Sequence, residues 1–207
     1  MNKLLIAICL VLGMATGAYA DSITYYLTYK IDGANSAADF VSIPSLGTVT
    51  ISDNETNNNW VDIKVDLNSG LNIQEFELNF SGNMTLFNNL TITPNSLSKA
   101  IDGKKPDGYK GFFDIQVPQN GNLTGEDYVG TLSSTEGNLD ASMFDSLDTL
   151  GLLHVAVHIG NGSSTLPGNV TSLWAGDGPK PVPEPTTMLL LGFGLVGLAG
   201  AGRKFKI

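Results

Sequence analysis

Cysteine is all but missing from this chain: among 207 residues there is one, Cys9, and it lies inside the first apolar stretch. From residue 21 onward the sequence offers no disulfide, no thiol nucleophile and no thiolate metal site. Exported domains often use disulfides, but a domain of roughly 160 residues can hold by packing alone. Histidine is nearly as scarce, with only His154 and His158. Basic side chains are few: 11 Lys and Arg stand against 20 Asp and Glu, a formal net charge of −9. Within residues 21–182 the balance is 19 acidic to 7 basic, a net of −12. So acidic a surface argues against nucleic-acid phosphate or anionic lipid as the domain's partner, and suits solubility outside the cell. A Gly-x-Ser-x-Gly nucleophile turn and a repeat of fixed period are also missing.

What the chain has in quantity is Asn, Ser, Thr and Gly, a composition that favours turns and strands. Several segments alternate apolar and polar residues as half-buried strands do. Ile23, Tyr25, Leu27, Tyr29 and Ile31 share one face of a segment 23–31. Val61, Ile63, Val65 and Leu67 oppose Asp62, Lys64 and Asp66 in a segment 60–67. Phe76, Leu78 and Phe80 align in 71–80, and Gly70 between the two segments predicts a hairpin over 60–80. Further strands are expected at 47–51, 84–92, 111–117, 152–159 and 170–174. Asp140, followed by apolar residues at helical spacing, predicts one short helix within 139–147. Many short strands between turns define the expected fold: mainly β, an antiparallel β-sandwich.

Candidate sites within the domain read mostly as structure. On a strand, His154 and His158 share a face about 13 Å apart, too far to grip one ion. No Glu follows His154, so the helical zinc-protease pattern is absent. Residues 53–59 offer alternating oxygens as a calcium loop does, but Asn58 and Lys64 stand where that loop needs Gly and Glu. Asp102, Asp107 and Asp177 lie in other loops that an adventitious calcium could use. The pairs Glu75/Glu77 and Glu126/Asp127 have the residue type for glycoside hydrolysis, yet 20 acidic residues produce such pairs by chance. Trp60 and Trp174 offer rings for sugar stacking, with core packing the commoner role. No catalytic residue, metal ligand or cofactor site is assigned, and the expectation is a protein that is not an enzyme.

The two ends carry the strongest signals. Met1-Asn2-Lys3, an apolar run from Leu4 to Met14 and the small-x-small ending Ala18-Tyr19-Ala20 form a secretory signal peptide, residues 1–20, cleaved between Ala20 and Asp21. The run is too short to span a bilayer. Cys9 follows Ile8 and sits inside the run, which is wrong for lipid attachment. At the far end Val182-Pro183-Glu184-Pro185 precedes an uncharged stretch from Thr186 to Gly202, then Arg203, Lys204 and Lys206. The stretch would make a helix about 25 Å long, slightly short of a bilayer core but workable with flanking cations. Basic residues beside a span stay on the cytoplasmic side. Residues 21–180 would then face the periplasm, held by one C-terminal transmembrane helix at 186–202. Gly192, Gly194 and Gly197 match G-x-G-x-x-G, but without a preceding strand or an acidic residue downstream they read as small residues for helix contact in lipid.

The tetrapeptide, the short Gly/Leu-rich span and the basic cluster together resemble the PEP-CTERM sorting domain of Gram-negative bacteria. The resemblance covers about residues 181–207 and nothing before them. In that family an exosortase, an integral-membrane cysteine protease or transpeptidase, recognises the Pro-Glu-Pro and processes the tail. The resemblance assigns that handle to Pro183, Glu184 and Pro185. Prolines fix φ and hold such a strip extended, accessible to a protease. The implied partners are the secretion machinery, the inner membrane and an exosortase, with exopolysaccharide a further implied partner. The implied role is at the cell surface or in the biofilm matrix, after release from the inner membrane. A carbohydrate- or calcium-binding module on the same tail is the alternative.

Overall fold

A computed structural model describes residues 22–57, 59–118, 125–162 and 164–178. In chain order its strands are β1 (Ser22–Tyr26), β2 (Tyr29–Lys30), β3 (Val41–Ser42), β4 (Gly47–Asp53), β5 (Trp60–Leu67), β6 (Leu71–Leu78), β7 (Thr91–Thr93), β8 (Ser98–Lys104), β9 (Phe113–Val117), β10 (Asp127–Ser133), β11 (Val155–Asn161) and β12 (Ser172–Gly176). They form two antiparallel sheets. One has five strands in the order β1-β4-β5-β10-β7, the other seven in the order β3-β2-β12-β11-β6-β9-β8. The main core lies between them, as the alternation in β5 requires. Val61, Ile63, Val65 and Leu67 are buried there, while Asp62, Lys64 and Asp66 face outward.

Four sequence expectations need correction. The segment 23–31 is not one strand. The chain leaves the five-stranded sheet after Tyr26 and joins the other at Tyr29, with Leu27 donating to Gly47 and Thr28 to Gly176. Residues 60–80 are not a hairpin. β5 pairs with β4 and β10, whereas β6 pairs with β11 and β9, so the turn at Gly70 arches from one layer to the other. Each strand has one apolar face, and crossing the layers buries both faces against each other. Gly70 supplies the left-handed φ of 84° that the arch needs, and Glu126 Oε1 accepts the Gly70 amide and the Ser69 hydroxyl. Residues 84–92 are a helix and a short strand, not one strand. In α1 (Met84–Asn88) the Asn83 side chain caps the Leu86 amide, and Leu86, Phe87 and Leu90 pack into the core at helical spacing. The helix expected in 139–147 is a single 3₁₀ turn, Ala141–Phe144, capped by Asp140 through the Ser142 amide.

β6 contains a bulge. Leu71 and Ile73 enter the core at odd positions, Phe76 and Leu78 at even ones. The register against β11 shifts between His158 and Ile159 to allow this. One extra residue is the only way a strand can reverse its phase and keep all four apolar side chains inside. The bulge leaves Gln74 and Glu75 as neighbours on the outer side.

The seven-stranded sheet is covered on its outer side as well. Ile31, Ala34, Tyr109 and Phe113, with Phe40, pack over Ala156 and Trp174. That second cover explains the nearly unbroken apolar run before His158, because central strands buried on both faces lose their alternation. The five-stranded sheet has no such cover among the described residues. Ser22, Thr24, Thr50 and Ser52 with Asp62, Lys64 and Thr131 form its outer surface.

Candidate functional site

His154 sits at the end of the described domain. It is 2 % exposed, immediately before β11. Its Nδ1 lies 2.6 Å from Asp177 Oδ2, and its Nε2 lies 3.4 Å from Asp145 Oδ1. The Asp177 Oδ1 atom accepts the backbone amides of His154 and Val155. Tyr25 stacks on the imidazole at 4.9 Å and donates its hydroxyl to Asp145 at 2.8 Å. Burial, and then the Asp145 carboxylate, push the Tyr25 hydroxyl well above the ordinary phenol range, so it stays a donor. This network ties β1 to Asp177, one residue before the described domain ends at Gly178. His154 is therefore a buried hub and not a residue of an exposed strand face. Topology joins groups 23 to 120 residues apart in the chain, which spacing alone could not reveal.

A second cluster lies on the outer side of the seven-stranded sheet. Glu77 is 0 % exposed. Gln116 donates to Glu75 Oε2 at 3.1 Å and to Glu77 Oε1 at 3.3 Å, so one amide bridges the two carboxyl groups. Glu77 Oε2 has no hydrogen-bond partner among the described residues. Burial, and next the Glu75 charge, push the Glu77 carboxyl up to about 8, against a smaller opposing pull from Lys104. His158 Nδ1 is 3.6 Å from Glu75 Oε1, and its ring stacks on Trp174 at 4.8 Å. The sequence pair Glu75/Glu77 is thus a real juxtaposition. A general acid must touch its substrate, and in this arrangement only Glu75 and the edge of His158 reach solvent, with Glu77 sealed beneath them.

The remaining sequence candidates are structural. The loop after β4 opens on a pocket of about 510 Å³ lined by Ser22, Ser52, Asp53, Asn54, Glu55, Thr56 and Asp62. Several of its oxygens are engaged: Asp53 accepts the Ala141 amide, Asn54 accepts Thr56 and Asn57, and Asp62 accepts Asn54 and Thr131. Asp177 belongs to the His154 hub, and Glu126 holds the arch. Among the described residues no group of three or more His, Asp or Glu side chains converges in a metal-binding arrangement. Trp174 is buried and Trp60 is half-exposed at the start of β5.

The residues that write the address fall elsewhere. Ala20 and Asp21 of the expected signal cleavage, Val182, Pro183, Glu184 and Pro185 of the sorting motif, and Arg203, Lys204 and Lys206 behind it lie outside the described residues. So do the signal peptide expected at 1–20 and the helix expected at 186–202. Among the described residues no helix is long and apolar enough to cross a membrane. The described part is a two-layer antiparallel β domain ending at a clamped exit, with a short tail behind it. That tail, residues 181–204, matches the family model of the PEP-CTERM protein-sorting motif. The motif implies an exported protein carrying a membrane-anchored sorting signal that an exosortase processes. No curated protein and no solved structure matches the chain.

Proposed function

We propose that this chain is a non-enzymatic protein of the cell surface or extracellular matrix, held on the periplasmic side of the inner membrane until an exosortase removes its tail. The observation that carries the reading is the sorting motif at residues 181–204, directly behind the domain's last clamped residue, Asp177. The signal-peptide pattern of residues 1–20 supports the same direction of export. Glu77 and His154 are themselves sealed from solvent, which supports a structural role for these two side chains. In the host, replacing Pro183, Glu184 and Pro185 by alanine should leave the chain membrane-bound at full tail length, while the unaltered protein is released shortened. Release of the variant at the same shortened length would refute the role given to the motif.

A carbohydrate-binding role on the same tail is favoured by one surface. The uncovered face of the five-stranded sheet carries hydroxyl and carboxylate groups with Lys64 and Val129 among them, and exposed Tyr26 and half-exposed Trp60 at its margins. Such rings stack on sugars while the hydroxyls exchange hydrogen bonds with them. A glycan array tests this reading: binding lost on Trp60→Ala supports it, and the absence of any bound glycan removes it. The calcium alternative has less behind it, because Asp53, Asn54 and Asp62 already accept hydrogen bonds from the domain itself.

A further inference from the structure

The mean charge of the domain conceals a segregation. Of the 7 basic side chains in residues 21–182, four (Lys99, Lys104, Lys105 and Lys110) fall within residues 99–110, beside Asp102 and Asp107. The rest of that span carries 17 acidic side chains against 3 basic. In the structure Lys105 and Lys110 are exposed, and Lys105 Nζ lies 5.6 Å from the ring centre of Phe112. Phe112 is tied to the neighbouring loop by exchange with Thr149: its amide donates to Thr149 Oγ1 at 2.9 Å and its carbonyl accepts the Thr149 amide at 3.2 Å. Leu150 stands beside Thr149 and Leu147 two residues before it, and Phe112, Leu147 and Leu150 are all exposed. Phe112, with Lys105 beside its ring, is thus joined through Thr149 to the loop that carries Leu147 and Leu150, so exposed apolar and lysine side chains occur on two hydrogen-bonded loops.

The same loop leads to the exit of the tail. Asp148 accepts the Leu152 and Leu153 amides, and the next residue, His154, clamps Asp177. From Gly178 to Thr186, where the uncharged stretch begins, there are eight residues, which can reach at most about 28 Å. A domain of this size has a radius of gyration of about 15 Å and is about 40 Å across. While the tail is anchored, the domain cannot move farther from the bilayer than its own width. At such effective concentration even a weak contact is occupied.

We propose that the patch of Lys105, Lys110, Phe112, Leu147 and Leu150 docks on an anionic phospholipid surface while the tail is anchored. Exposed apolar side chains enter the headgroup region, and each lysine near an anionic surface contributes about 1 kcal/mol, about fivefold in occupancy. The overall acidity of the domain, which by itself argues against such lipid, here selects the orientation, because the rest of residues 21–182 carries 17 acidic side chains against 3 basic. The inference rests on the membrane anchoring proposed above, and the test separates the two. The mature chain has no cysteine, so a single fluorophore can be placed by Leu150→Cys, or by Lys64→Cys on the opposite sheet. Each labelled chain, from Asp21 to Ile207, is reconstituted into phosphatidylcholine–phosphatidylglycerol vesicles containing bromolipid, and into phosphatidylcholine vesicles alone. Quenching at position 150 but not 64, dependent on phosphatidylglycerol and reduced severalfold by Lys105→Glu with Lys110→Glu, is the expected result. Chains that float with the vesicles but show equal quenching, or none, at both positions overturn the docking alone. Chains that fail to float overturn the anchoring and the docking with it.

Discussion

Glu77 makes the stability of this domain depend on pH. In the folded chain its carboxyl titrates near 8, raised by burial from about 4.5. Below about pH 4.5 folded and unfolded chains are both protonated there, and the contribution to stability is complete. As pH rises towards 8 the unfolded chain releases a proton that the folded chain keeps, and stability falls by up to about 1.4 kcal/mol per unit. Above that range the loss is complete. Glu77→Gln keeps the shape and removes the charge, so its urea midpoint should lack this component of the slope. Parallel profiles for variant and parent between about pH 5 and 8 would contradict the assignment. The neighbouring hub behaves differently. Asp177→Ala strands the His154 imidazole and two backbone amides in a buried site, and should cost about 2–4 kcal/mol by urea denaturation. A loss within about 0.5 kcal/mol, the usual range for a surface change, would show that Asp177 is not a clamp. Neither role was legible from sequence. Glu75 and Glu77 were visible as a pair, but their burial depends on Gln116 and on the cover over the sheet. His154 and Asp177 meet only because β11 and β12 are neighbours.

At the scale of elements, alternation was a good guide where a strand has one face in the core and one in solvent. β4 and β5 follow it fully, which is why both were readable. It misled where the layer changes. The runs at 23–31 and 60–80 keep their apolar period through the crossing, although in the first Tyr25 and Leu27 face the main core while Ile31 packs in the outer cover. β10 escaped notice because Gly130 interrupts the apolar positions Tyr128 and Leu132, although the strand pairs with β5 over seven residues. α1 was hidden by β-prone Thr and Phe; the Asn83 cap was the available signal. The bulge in β6 allows a direct test. Deleting Gln74 removes the extra residue and leaves Leu71, Ile73, Phe76 and Leu78 in strict alternation, all four facing the core. The core face is then unchanged, so circular dichroism should show a cooperative, native-like melt for the deletion variant. A variant with no folded domain at room temperature would show that Gln74 is not the extra residue of the strand.

At the scale of the molecule, a two-sheet sandwich with no cysteine carries a tail that begins behind its last clamped residue. The sorting motif at 181–204 was legible because it depends on order, spacing and charge in one short segment. The uncovered hydroxyl-rich face was not, because it uses ordinary strand residues. The lysine patch was not singled out either, because a net charge averages over every face of the domain. The account turns on the two ends being removable. Intact-mass spectrometry of the protein recovered from the cell surface or medium of its host should give one chain that begins at Asp21 and ends near Pro185. A soluble cytosolic chain that still holds both Met1 and Ile207 would contradict it.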